Sequence, residues 1–148
     1  MIVFDVRTNI RGSKLQMLVE DLSAEAETIG FVIQGDILYP QVEQLLLHLA
    51  DEKTSDASGG IWPGTDLLSG SARILEYHST RQVIDALCGF AGGLFDTGRD
   101  PALPQDFFMR SRDTVVLETV SHEQLGYIRV PQSTPILDKL LAEGLIER

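Results

Sequence analysis

Apolar residues in the first ten positions fall on every second place: Ile2, Phe4, Val6 and Ile10, with Thr8 between them, alternate with Val3, Asp5, Arg7 and Asn9. A period of two is that of a strand with one buried face, so residues 2–10 predict a sheet strand. Residues 13–28 carry two patterns at once. Leu15, Leu18 and Leu22 suit a helix, whereas Leu15, Met17 and Val19 suit a strand; the balance leans to a strand over 14–19, with Arg11-Gly12-Ser13 as the turn of an N-terminal hairpin. Ser23 to Glu27 reads as a polar connection, and Thr28 to Gln34, with Phe31-Val32-Ile33 at its centre, as a further strand closed by Gly35-Asp36.

The clearest helical signal begins at Pro40, a residue suited to a first helical turn. Val42, Leu45, Leu46 and Leu49 follow it as one apolar stripe. Residues 51–70 then shift to Gly, Ser, Asp and Pro and predict a long surface loop, of the kind that often carries function. Ala72 to Tyr77 fits a short strand, and Ser79 or Thr80 can cap a helix through Val83, Ile84 and Leu87. Gly89, Gly92 and Gly93 weaken the far end of that helix, and 96–105 reads as a connection.

Three β-rich runs, 107–110, 114–120 and 125–130, are separated by Ser111-Arg112-Asp113 and by Ser121 to Gln124, which predicts an antiparallel meander. Thr134-Pro135 starts a last amphipathic helix with Ile136, Leu137, Leu140 and Leu141, ended by Gly144. The sum is an α+β fold: a mixed, largely antiparallel sheet with two or three helices packed on one face. At 148 residues and 43% hydrophobic content, residues 1–148 make a single globular domain.

Charge changes the picture more than composition does. There are 22 Asp and Glu against 12 Lys and Arg, a net charge of −10. The surplus is −6 over residues 1–60, −3 over 61–106 and −1 over 107–148. Such a field disfavours nucleic acid and anionic membrane as direct ligands and attracts a basic protein. One cysteine permits no internal disulfide, the start MIVFDVRTNI lacks the features of an export signal, and no run has the length of a spanning helix; a cytoplasmic setting is expected.

Catalytic signatures are sparse. Cys88, within Ala86-Leu87-Cys88-Gly89-Phe90, reads as the buried face of a helix rather than as a nucleophile served by His48, His78 or His122. No His or Cys pair has zinc spacing, and Gly89 to Gly93 is too loose for a phosphate loop, so neither metal nor cofactor is expected. His122-Glu123, at a strand junction, reads first as a polar turn. A second reading makes it part of an enzyme or ligand site, assembled in space with His78 and Asp85.

The lone tryptophan, Trp62, sits in Gly59-Gly60-Ile61-Trp62-Pro63-Gly64 with Asp51, Glu52, Asp56 and Asp66 nearby. It is either an aromatic anchor for a partner, with the acids pairing Lys or Arg, or a ring that folds back onto its own core. On the first reading the partner-binding residues are Trp62, Asp56 and Asp66, then Glu52, Asp96 and Asp100.

The run FFMRSRDTVVLETVSHEQLGYI, from Phe107 to Ile128, together with Val32-Ile33-Gln34-Gly35-Asp36-Ile37-Leu38 before a leucine-rich helix, resembles small bacterial immunity proteins of polymorphic and contact-dependent toxin systems. The resemblance implies a cytoplasmic protein that binds a cognate toxin domain and occludes its active site, and it assigns no individual residue. A third expectation is a self-assembling scaffold or adaptor, a homodimer paired through an exposed sheet edge.

Overall fold

The computed structural model describes residues 1–148. Ten strands and four α-helices follow one another along the chain: β1 (Ile2–Val6), α1 (Gly12–Leu22), β2 (Thr28–Ile33), α2 (Pro40–Leu49), β3 (Lys53–Gly59), β4 (Ile61–Trp62), β5 (Thr65–Asp66), β6 (Ala72–His78), α3 (Arg81–Ala91), β7 (Gln105–Arg110), β8 (Val115–Val120), β9 (Leu125–Val130), α4 (Pro135–Ala142) and β10 (Ile146–Glu147). Eight of the strands form one sheet in the order β10-β1-β9-β8-β7-β2-β6-β3, and β4 with β5 makes a separate hairpin. The fold class is α+β as expected, with every strand pair antiparallel rather than mixed and four helices rather than two or three.

All four helices lie on one face of the sheet. Leu15 and Leu18 of α1, Val42 and Leu49 of α2, Val83 and Leu87 of α3 and Leu137 and Leu140 of α4 join alternate strand residues such as Phe4, Phe31, Tyr77, Met109 and Ile128 in one core. Helix starts follow local chemistry. Thr80 and Thr134 accept backbone N–H bonds from Val83 and Leu137, and Pro40 and Pro135 occupy first turns.

Residues 12–22 are helix, not the expected strand. The leucine spacing wins because Leu15, Leu18, Val19 and Leu22 are all buried on the sheet, while Met17, which the alternate pattern would place inside, stays partly exposed. Arg11 therefore forms no hairpin turn; it makes an isolated antiparallel bridge to Gly93. Strand β1 stops at Val6 rather than Ile10, and Asn9 instead accepts the Phe95 N–H and donates to Asp96.

The opposite face of the sheet has a smaller cluster of Val32, Trp62 and Ala72, with Leu67 and Ile74 against it. Its geometry depends on Gly30 in β2. A Cβ there would lie 2.3 Å from the Phe108 ring and 2.8 Å from the Leu75 carbonyl, so β2 needs glycine for Phe108 to lie across it. Gly30→Ala is expected to cost about 1–3 kcal/mol through overpacking against a backbone atom that cannot yield. Denaturant unfolding of the variant beside the wild type measures that loss.

Candidate functional site

The segment 51–70 is not a loop. Lys53–Gly59 is a seven-residue strand on the outer edge of the sheet, and 61–66 is the hairpin that returns over the face away from the helices. Its sequence, KTSDASG, is poor in β-branched and aromatic residues; pairing with β6 from Lys53↔Tyr77 to Gly59↔Ala72 imposes the extended state.

Trp62 takes the inward course. It is 4% exposed, and its indole Nε1–H donates to Asp106 Oδ2 at 3.1 Å. Its ring is therefore part of the protein's own core and offers no free anchor. Asp106 is itself 1% exposed, with a φ of 53°. Register explains that angle: Gly30 pairs with Phe108 but Val32 with Gln105, so β7 holds one extra residue in a bulge at which Asp106 turns left-handed. The inturned carboxylate also accepts the Ser121 N–H at 2.8 Å, and the Asp106 N–H donates to Ser121 Oγ at 2.9 Å. One buried side chain thus ties the hairpin, β7 and the β8–β9 turn together. In the sequence Asp106 belongs with Asp96 and Asp100 to an acidic stretch that reads either as partner contacts or as solvated acids, and nothing local marks it as buried.

The other expected contacts divide into occupied and free. Asp56 lies on the helical side of β3 and accepts Arg73 Nε at 2.9 Å, Arg73 Nη2 at 2.7 Å and Lys53 Nζ at 3.1 Å. Asp96 accepts from Asn9 and Arg11, and Asp100 accepts the Tyr39 hydroxyl and the Ala102 N–H. These three acids hold the molecule's own elements together. Glu52 and Asp66 make no side-chain hydrogen bond or ion pair, and neither do Asp36, Glu43 and Asp51 in the same stretch. Exposed Leu47, on α2, lines a shallow depression with Glu43, Lys53 and Arg73 on the helical side of β3; exposed Ile61 stands on the other side.

Between β3, the hairpin and β7 runs an open groove of about 440 Å³, floored by Ala57, Ile74 and Phe108 and walled by Ile61, Trp62 and Pro63. It continues into a polar groove of about 400 Å³ with Glu27, Arg112 and the hydroxyls of Thr28, Thr54, Ser55 and Ser111. At their junction Glu76, almost buried, accepts Arg110 through both oxygens and the Thr28 hydroxyl at 3.2 Å. That pair neutralises itself. The grooves therefore offer an extended, half-apolar surface rather than an enclosed reaction chamber.

The residues of the enzyme reading stay apart. His122 is exposed on the turn Ser121–Glu123, with its Nε2 3.6 Å from Glu123. His78 belongs with Thr28 and Arg110 at the other end of β7, and Asp85 of α3 accepts from Gln16 on α1. No group of three or more His, Cys, Asp or Glu is arranged to hold a metal ion. Cys88 lines a small apolar cavity with Leu15, Val19 and Leu87, and burial, helped by Asp85 and Glu20, pushes its thiol up to about 12, away from a reactive thiolate.

Fold and surface define an α+β domain with an eight-stranded antiparallel sheet, helices on one face and an open second face. No family model, curated protein or solved structure matches the chain. No helix is long and apolar enough to cross a membrane.

Two outcomes follow from the buried and paired acids. Asp106→Ala is expected to cost about 2–4 kcal/mol, because the Trp62 and Ser121 donors lose their acceptor, and to shift the emission of the sole tryptophan to the red. Asp106→Asn keeps an acceptor oxygen for one of the two donors and tolerates the positive φ, so it should cost less than Asp106→Ala; unfolding curves followed by fluorescence compare the two. Hydrogen bonds from Arg73, then from Lys53, hold the Asp56 carboxyl down at about 2 against the opposing effect of burial. A lowered native pKa stabilises above the free carboxyl's range of about 4 and loses that effect as pH falls through about 2. Asp56→Asn should therefore be less stable than wild type by about 1 kcal/mol at neutral pH, a value reduced by solvent screening, with the gap closing below about pH 2 in parallel denaturation series.

Proposed function

We propose that this protein is a non-enzymatic binding protein of the immunity type, which neutralises a basic protein, a toxin domain, by covering its active site. The observation that carries the reading is the distribution of compensated charge. Arg7, Arg11, Lys14, Lys53, Arg73, Arg81, Arg110 and Arg129 are each engaged by a carboxylate of the same molecule. Asp36, Glu43, Asp51, Glu52 and Asp66 have no such partner; Asp5, Glu25, Glu27 and Asp113 are also without one, but the first five fall together in the segment that also exposes Ile37, Leu47 and Ile61. Exposed apolar residues and uncompensated acids in one segment suit a basic partner: the acids raise the encounter rate and the apolar residues slow dissociation. Burial of Trp62 moves the apolar contribution from that ring to Leu47 and Ile61, while Glu52 and Asp66 keep the contact roles that their free carboxylates support.

Capture from the source lysate at low and at high salt tests this, followed by purification of what is retained and titration against wild type and a Glu43→Lys, Asp51→Lys, Glu52→Lys variant. A basic protein held at low salt, whose association rate falls roughly tenfold or more in the variant, is the expected result. Equal binding by the variant, or retention of acidic or neutral proteins alone, would contradict it.

A further inference from the structure

We infer that the open edge of β3 receives an extended segment of the basic partner as a ninth strand of the sheet, an inference that rests on the binding reading above. The sheet has two edges, and they differ. One ends in β10, two residues long and tied by Glu147 to Arg7. The other is β3, seven residues long, hydrogen-bonded to β6 alone and exposed from Lys53 through Ser58.

Exposed edges are ordinarily blocked by proline, by bulges or by charged side chains along the strand. Here the bulge is confined to the start, between Lys53 and Ser55, and no proline is present. The two charged side chains of the strand, Lys53 and Asp56, are joined to each other, and Asp56 also to Arg73, on the helical side. From Ser55 to Gly59 the remaining side chains are those of Ser, Ala and Gly, which leave the unpaired backbone groups accessible to another strand.

Charge selects the occupant. A second copy brings a further net charge of −10, and the repulsion between two such fields opposes pairing of β3 with itself. A basic segment meets the opposite situation. Side chains of an added strand alternate between the two faces; on the helical face they reach Leu47 and the unpaired Glu43, where Lys53 and Arg73 are already engaged by Asp56, and on the other face they reach Ile61 and the groove over Ala57. The fitting segment is therefore one in which Lys or Arg alternates with apolar residues.

The probe is an end-blocked seven-residue peptide of alternating Lys and Val, with two versions N-methylated at alternate residues in either frame and a Glu/Val counterpart, titrated into isotope-labelled protein by NMR. Saturable shifts centred on residues 53–59 are expected, weakened roughly tenfold or more by N-methylation in one frame and absent with the Glu peptide. Equal binding by both N-methylated versions, or shifts centred elsewhere, would overturn strand addition while leaving a basic partner standing. Equal binding by the Glu peptide would remove the charge selection itself. Absence of binding by the Lys/Val peptide would also overturn the inference, with the salt-dependent capture remaining the separate test of the partner.

Discussion

The second face of this molecule depends on one buried carboxylate. Asp106 takes hydrogen bonds from the Trp62 indole and from the Ser121 backbone, and it reaches both because a bulge in β7 places it in the left-handed region. A buried acid is costly unless its oxygens are satisfied, and here both carry donors. The consequence extends beyond the bond itself. With the hairpin 61–66 pinned to the sheet, Gly64 rests against Thr119 and Val120 and the groove over Phe108 acquires a wall. Close approach is needed on the other side of the same corner as well, where a Cβ at Gly98 would lie 2.6 Å from the Ser121 backbone.

What the sequence makes legible is local, and what it hides is long-range. Pro40, Thr80 and Thr134-Pro135 announce helices because caps and first-turn prolines act within a few residues. The meander 107–130 is readable because alternating β-rich runs are separated by turn residues, although β7 begins two residues earlier, at Gln105. Strand β3 is unreadable for the opposite reason: Lys-Thr-Ser-Asp-Ala-Ser-Gly has no strand preference of its own, and β6 supplies it. In α1, Leu15 serves both candidate patterns, and only packing onto the sheet decides between them.

The candidate site was legible as a region and not as a set of residues. Trp62 marks 51–66 as unusual in composition, yet its partner lies 44 residues away, a distance no spacing rule covers. Asp56, Asp96 and Asp100 look alike in sequence to Glu52 and Asp66, since whether an acid faces an internal donor or solvent depends on elements far along the chain. The structure thereby redistributes the negative field: acids near internal cations act as fasteners, and those around α2 and the start of β3 stay unpaired.

Amide and indole hydrogen exchange in the free protein, followed residue by residue, tests the central constraint most directly. If Asp106 fixes the hairpin and β3 is an open edge, the Trp62 indole and the Ser121 amide exchange only through global unfolding, while alternate amides of 53–59 exchange far faster than those of β6. An indole that exchanges as freely as an exposed one, with uniform protection along β3, would contradict both halves of that description.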